Sequence, residues 1–243
     1  MSRIIDVKAH ASRRERFLEA AARLIATTGY EHMTVQDVLD DVQQSKGAFY
    51  HYFDSKQALF EALINGESDR IIEAARCFVE TPGLPALKKL RHLFQEGNRL
   101  KLERKGLRLA LLPMWLSDEN AVIRQRIFFR TRERVMPLLD QVITEGIEEG
   151  VFVTRYPDHV GRVVFAVVQD FHEVLTRLVV AAQQSGVPDR VRVEQAVAAC
   201  HDAIERILGA RSGALELFDV AQLMDWFDRS GDFVEVEQVS ALA

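Results

Sequence analysis

Apolar residues recur at intervals of three and four along most of the chain. Phe17, Ala20, Ala21, Leu24 and Ile25 form one stripe, and Val35, Val38, Leu39 and Val42 a second. Leu59, Phe60, Leu63, Ile64, Ile71, Ile72, Ala75 and Phe78 form a third. This spacing puts each set on one face of a helix. Glycine and proline supply the punctuation: Gly29, Thr81-Pro82-Gly83-Leu84-Pro85, Gly150, Gly186-Val187-Pro188 and Gly209. The pattern predicts a flexible arm over residues 1–11, a first helix over about 12–28, a second over 34–42, a third over 45–52 and a connecting helix over 57–80. Beyond the Pro/Gly segment it predicts a helix over 84–105 broken by Gly106, and an apolar segment over 107–116 bent or ended by Pro113. A long helix over 121–149 follows, kinked near Pro137. Helices over 157–185, started by Pro157, and 191–208 come next, then a short one over 215–227. Val151-Phe152-Val153 reads as a joint between helices, and the remainder to residue 243 as a loose acidic tail. No stretch alternates as a sheet requires, so the expected fold is all-α with about nine or ten helices.

Within this plan, Thr34–Lys56 carries the most information. Thr34 and Ser45 stand where N-caps belong, so two short helices flank a break of a few residues. The second carries Lys46, Gly47, Ala48, Tyr50 and His51 on its exposed side, and Phe49 and Phe53, four apart, on the inner one. A propping helix followed by a helix with a small, polar, partly basic face is the pattern of a helix-turn-helix that enters the major groove.

Composition narrows the classes. The net charge of −5 argues against non-specific nucleic-acid binding by the whole molecule, but it leaves room for a local basic face. Residues 1–16 supply one, with Arg3, Lys8, Arg13, Arg14 and Arg16 against Asp6 and Glu15. Cys77 and Cys200 are far apart and without metal-ligand spacing, so neither a disulfide nor a metal site is expected; both read as buried or half-buried thiols. There is no signal-peptide core and no run of about 18 apolar residues, so the chain is expected in the cytoplasm, without a membrane span. No phosphate loop, nucleophile elbow or paired ligand motif suggests an enzyme. Glu148-Glu149 reads as a solvated acidic pair, and no cofactor is expected.

Phe17, Ala20, Ala21, Leu24 and Gly29, then Thr34-Val35-x-x-Val38, then Ser45-Lys46-Gly47-x-Phe49-Tyr50-His51-Tyr52-Phe53-x-Ser55-Lys56-x-x-Leu59 together resemble the TetR-type (tetracycline-repressor-like) regulators over the first 65 residues or so. The resemblance implies a three-helix DNA-binding domain over 1–56, the connecting helix over 57–80, an effector-binding and dimerisation domain over 81–211, and a C-terminal extension over 212–243 with a short helix. In that setting Ser45 caps the recognition helix and offers its N-terminus to a phosphate. Lys46 reads a base edge or holds a nearby phosphate. Gly47 and Ala48 let the backbone approach, with Ala48 able to touch a thymine methyl. Tyr50 and Tyr52 reach phosphates, although Tyr50 also reads as a buried aromatic. His51 contacts a base or a phosphate. Lys56 resembles the family's phosphate-binding lysine, and Thr34 donates to a phosphate while capping. The turn departs from the family's Ala-Gly-Val with Val42-Gln43-Gln44, so Gln43 is expected to hold a left-handed backbone.

The resemblance also implies a homodimer through the helices over 157–185 and 191–208, which are apolar on more than one side. A pocket for an unknown small-molecule effector follows from it too, with Phe78, Met114, Trp115, Phe128, Phe129, Phe165, Gln169 and His172 as candidate lining residues. These aromatics serve equally as core. The function expected is a ligand-responsive regulator, by default a repressor, binding a palindromic double-stranded operator. The alternatives are an activator of the same family and a helical interaction protein whose DNA-binding face has degenerated.

Overall fold

The computed structural model describes residues 2–228, with side chains from residue 10 onward. Among the described residues there are ten α-helices and no strand. They are α1 Ser2–Thr28, α2 Val35–Val42, α3 Lys46–Tyr50, α4 Lys56–Val79, α5 Ala86–Leu102, α6 Lys105–Leu116, α7 Ala121–Glu148, α8 Pro157–Ser185, α9 Arg190–Leu208 and α10 Val220–Met224. No helix among them is long and apolar enough to cross a membrane. The expected acidic tail beyond residue 228 and the side chains of Arg3 and Lys8 lie outside the described residues.

Several boundaries differ from the sequence reading. The first helix begins at Ser2, not near residue 12, because nothing between those positions is a glycine or proline that would break it. Gly106 does not break α5 from α6. Arg104 does, at φ −118° and ψ 35°, and Gly106 sits in the first turn of α6. Pro113 lies inside α6, which runs on to Leu116. Cys77 is exposed, not buried, whereas Cys200 is buried, and burial with the nearby charge of Asp170 pushes its thiol up to about 12. Glu148 and Glu149 are exposed as expected, but Glu149 also has a structural role: both its carboxylate oxygens accept from the Ala86 N–H at 3.1 Å. It thereby caps α5, whose N-cap Pro85 has no side-chain donor or acceptor.

The described residues divide into two compact units, one of residues up to Ser68 with Arg104–Ile127, the other of Asp69–Glu103 with Phe128 onward. The first unit's core is built on Phe17, Ala20, Ala21 and Ile25 of α1, Val38, Leu39 and Val42 of α2, and Phe49 and Phe53 at α3. Leu59, Phe60 and Leu63 of α4 complete its near side. Leu107, Leu111 and Met114 of α6 and Ile123 and Ile127 of α7 belong to the same core, although the sequence reading groups them with the second domain. Periodicity fixes which face of α6 is buried; its partner, α1, is settled only by the fold.

The second unit's core takes Ile72, Ala75 and Val79 of α4, Leu90 and Leu93 of α5, Leu138, Leu139, Val142 and Ile143 of α7, and the inner faces of α8 and α9. Phe152 is part of it and lies against Gly146, where any Cβ would collide with the phenyl ring. Leu215, Leu217, Phe218 and Leu223 of the C-terminal extension are also buried here. That extension is held by polar contacts. Glu205, itself buried, accepts from the N–H groups of Gly213 and Leu215 at 3.0 and 2.9 Å. His201 Nε2 accepts from those of Leu217 and Phe218 at 3.1 and 3.0 Å. These bonds keep 215–218 out of helix, which is why α10 is shorter than the expected 215–227.

Two measurements follow. Replacing Gln43, the non-glycine residue at φ 53°, by glycine removes the Cβ penalty of the left-handed region, partly offset by backbone entropy. Gln43→Gly is therefore expected to stabilise the fold by about 0.5–1 kcal/mol, seen as a higher midpoint in urea; a lower midpoint contradicts the account. Burial pushes the His201 pKa below the ordinary 6.5, with Glu205 and Glu216 offsetting only part of this. The native state then holds His201 neutral, as an acceptor of two N–H bonds must be, while the unfolded chain takes up a proton below pH 6.5. Its stabilisation is present above that pH and is lost as pH falls towards the lowered native value. The melting temperature of the wild type should fall more between pH 7 and 5 than that of His201→Gln, which keeps an acceptor that does not titrate; equal falls would remove the assignment.

Candidate nucleic-acid interface

The second and third helices are short, and their ends are fixed by side chains. Thr34 Oγ1 accepts from the Asp37 N–H at 3.2 Å, while Asp37 Oδ2 accepts from the Thr34 N–H at 2.7 Å and from its hydroxyl at 2.8 Å. This reciprocal capping box starts α2. The bonds from the Thr34 backbone and hydroxyl hold the Asp37 carboxyl below its usual range, with Lys56 adding to the effect. The hydroxyl proton of Thr34, expected to face a phosphate, is thus given to Asp37. Ser45 caps α3 by accepting from the Ala48 N–H at 3.3 Å.

Between the two helices, Gln43 sits at φ 53° and ψ 49°, the left-handed conformation its sequence position requires. Among the described residues it is the one non-glycine with positive φ. The N–H groups of Gln43 and Gln44 both return to the Leu39 carbonyl, the latter at 3.1 Å. Gln44 Nε2 donates to the Gln43 carbonyl at 3.0 Å. From α1, Arg16 donates to the Val42 carbonyl at 3.1 Å and Arg23 pairs with Asp41 at 2.6 Å.

The two faces of α3 are sharply different. Phe49 is fully buried and Phe53 nearly so, and both rings meet Phe17 of α1, edge-on at 5.7 and 6.2 Å. Lys46 and Gly47 are exposed, and Tyr50 is 48% exposed rather than buried. A Cβ at Gly47 would meet only Ser45 Oγ, at 3.9 Å, so the fold itself leaves the space above it open. Ala48 is half-buried and packs partly against the core. His51 is the exposed C-cap of α3.

Tyr52 and Lys56 are tied into the fold more than their sequence roles suggest. The Tyr52 ring is half-buried, 4.5 Å from the ring of His10 and 5.8 Å from that of Phe17. Lys56 Nζ donates to the Glu31 carbonyl at 3.2 Å and lies 4.4 Å from the centre of the Tyr30 ring. Its partial burial pulls its pKa down, against the pull of Glu31 and Asp37. Sequence reasoning placed Arg16 only in the basic N-terminal face and gave His10 no role, because their partners are 26 or more positions away. Their only signal was a basic approach to the first apolar stripe.

The eight candidate pocket residues fall in both units. Met114 is buried in the first unit's core, and Trp115 packs against that core. In the second unit Phe78 stacks on His92 at 4.5 Å, and Phe128 meets buried Phe165 at 5.6 Å. Phe129 is 42% exposed beneath the Arg132 guanidinium, 4.9 Å away. Gln169 is half-buried; His172 lies 3.4 Å from Lys101 Nζ and 6.0 Å from the Phe218 ring. A cleft of about 520 Å³ in this unit is lined by none of the eight. One wall is Pro82, Gly83, Leu84 and Pro85; the rest is Glu80, Gln141, Glu145, Glu148, Glu149 and Lys89, the last buried and paired with Glu145 at 2.7 Å.

Residues 17–63 match the family model of bacterial regulatory proteins of the TetR family. The HTH-type transcriptional repressor KstR2 of Mycobacterium tuberculosis is 29% identical over 150 residues, which span 58% of this chain and 70% of that protein. The HTH-type transcriptional repressor AcnR of Corynebacterium diphtheriae is 41% identical over 61 residues, 25% and 32% of the two chains. A TetR transcription regulator from Haloarcula marismortui shares the fold with a TM-score of 0.60 at 23% identity, over 82% of this chain and 97% of that one. The fatty acid degradation regulator FadR from Bacillus halodurans does so at 0.58 and 19%, with the same coverage. The family match runs through the capping box, the left-handed turn and the buried Phe49 and Phe53, and residues 17–63 are a helix-turn-helix segment of the kind found in TetR-family regulators.

Proposed function

We propose that the chain represses transcription as a homodimer bound to a palindromic operator and that a small-molecule effector releases it. The observation that carries the DNA-reading part is the outer face of α3. Lys46, Gly47 and Tyr50 are exposed there with nothing of the fold above Gly47, while Phe49 anchors the same five-residue helix from beneath. Lys46 then reads a base edge, Gly47 and Ala48 admit the groove floor, and Ser45, Tyr50 and His51 meet the backbone. Lys56, Thr34 and Tyr52 support the interface chiefly by fixing the loop and α1 behind it. Repression is favoured because the similar proteins KstR2 and AcnR are repressors.

Dimerisation through α8 and α9 is supported by their outer faces. Val163 and Val174, three turns apart on α8, are 47% and 38% exposed, and Ala198 and Ala199 are exposed on α9. Two copies supply two recognition helices, matching half-sites about one helical turn, 34–36 Å, apart. The effector acts by preferring one of two arrangements of the second unit, which holds Phe128, Phe165, Gln169 and His172. α4 carries residues of both cores and is the element through which the change reaches α3. The protein works where its operator is, in the cytoplasm.

Selection of bound duplexes from a random pool, followed by titration at several salt concentrations, tests this reading. A palindromic preference is expected, and a chain with no preference over random DNA would falsify it. Lys46→Ala should lower the ratio of operator to random binding, whereas Lys56→Ala should weaken all duplexes alike; identical effects on every duplex would remove Lys46 from base reading. Gly47→Ala should melt at or slightly above the wild type yet lose about tenfold or more in operator affinity, the scale of one mismatched base pair. Undiminished affinity would show that the backbone at Gly47 does not approach DNA.

A further inference from the structure

The turn between α2 and α3 is held from outside the helix-turn-helix. Gln43 and Gln44 both direct their N–H groups back to the Leu39 carbonyl. The Val42 carbonyl, the last of α2, is instead met by Arg16 Nη2 at 3.1 Å. A cation belongs at that place, because the carbonyl end of a helix carries partial negative charge. The bond also falls one residue before Gln43, which occupies a backbone region that non-glycine residues disfavour by roughly 1–2 kcal/mol. A glycine would sit there without help. With glutamine, the left-handed conformation competes with others, and each alternative would point the chain after Val42 in a new direction.

Only Gln43 and Gln44 separate α2 from Ser45, the cap of α3, so the dihedral angles at Gln43 set the direction of α3. We propose that Arg16 is a positioning residue for sequence reading: it locks the glycine-free turn so that α3 has a single orientation, and it acts through Gln43, not through DNA. This rests on the reading of α3 as the DNA-reading helix. Arg23 makes a useful contrast. It also ties α1 to α2, but it grips the Asp41 side chain and leaves the turn backbone alone.

The test uses the full chain, the selected operator and a random duplex of equal length. Arg16→Ala is expected to weaken operator binding about three- to tenfold, the scale of one hydrogen bond. Random-duplex binding should stay within about twofold, and the dependence of log K on log salt should be unchanged, since no phosphate contact is lost. Arg16→Lys should recover most of the affinity, and Arg23→Ala should stay within about twofold of wild type. In a Gln43→Gly background the loss caused by Arg16→Ala should shrink to less than about twofold, the coupling expected of two groups acting on one turn. A salt slope shallower by about 0.9 with random DNA weakened equally would make Arg16 a phosphate contact and overturn the proposal. An equal loss in both backgrounds would overturn it as well. A wild type with no preferred duplex removes the DNA-reading assignment and this inference together; a preference that Arg16→Ala leaves intact removes this inference alone.

Discussion

A helix of five residues has no means of holding itself together, and α3 exists because Phe49 is buried. Isolated helices shorter than about 12–15 residues are marginal in water, so α3 depends on its packing and its caps. Phe49 and Phe53 wedge against Phe17, and α1 in turn is fixed by Ala20, Ala21 and Ile25 beneath it. Truncating a buried phenylalanine costs about 3–5 kcal/mol, a large share of what a small helical unit has in reserve. The surface proposed to read DNA is therefore a consequence of the core. Phe49 in its hole turns Lys46, Gly47 and Tyr50 outward with no freedom to rotate away.

The same constraint explains the polar bonds around the stretch. Aromatic burial fixes α3 about its own axis but does little to fix its direction. That falls to the ends: the Thr34–Asp37 box, the Ser45 cap, the Gln43 turn and the Arg16 bond to Val42. Lys56, tied to the Glu31 carbonyl and lying over Tyr30, steadies the loop before α2 in the same way. Most charged groups that bond within this stretch serve backbone carbonyls and caps, with Arg23 and Asp41 paired to each other, which is compatible with a chain of net charge −5 and a proposed reading face on α3.

What the sequence made legible was local chemistry. Thr34 and Ser45 could be read as caps because an N-cap bond spans three residues, and Phe49 and Phe53 as inward-facing because they are four apart. Gln43 was readable as left-handed because it stands where the TetR-type regulators it resembles carry the glycine of the turn. What escaped was long-range pairing. Leu107, Leu111 and Met114 show an apolar face in sequence but not that α1 is its partner. Glu149 caps a helix 63 positions away, and Arg16 serves a carbonyl 26 positions on; a backbone acceptor leaves no mark in the sequence. The candidate pocket was least legible of all, since aromatics at helical spacing fill cores and line cavities with the same pattern. Met114 and Phe165 are both packed in cores, in different units.

The switching proposed for the second unit places a particular demand on α4, and its composition meets it. Leu59, Phe60 and Leu63 lie in one core and Ile72, Ala75 and Val79 in the other, while the stretch between is polar. There Glu67 pairs with Arg104 at 3.4 Å, Asp69 with Arg130 and Arg134 at 3.0 and 2.9 Å, and Arg70 with Glu103 at 3.1 Å. Close-packed apolar contacts resist sliding because a shift of a fraction of an ångström opens voids or clashes. The half-exposed Arg70–Glu103 pair is weak and adjusts its geometry at little cost, whereas Glu67 is buried and losing its partner would be costly. A helix gripped at both ends by packing and tied in the middle by ion pairs, not by close-packed apolar contacts, can shift by re-forming those pairs so long as the buried charge of Glu67 keeps a partner. The movement of α4 in the proposed switch would use that combination, and a helix apolar throughout would oppose it.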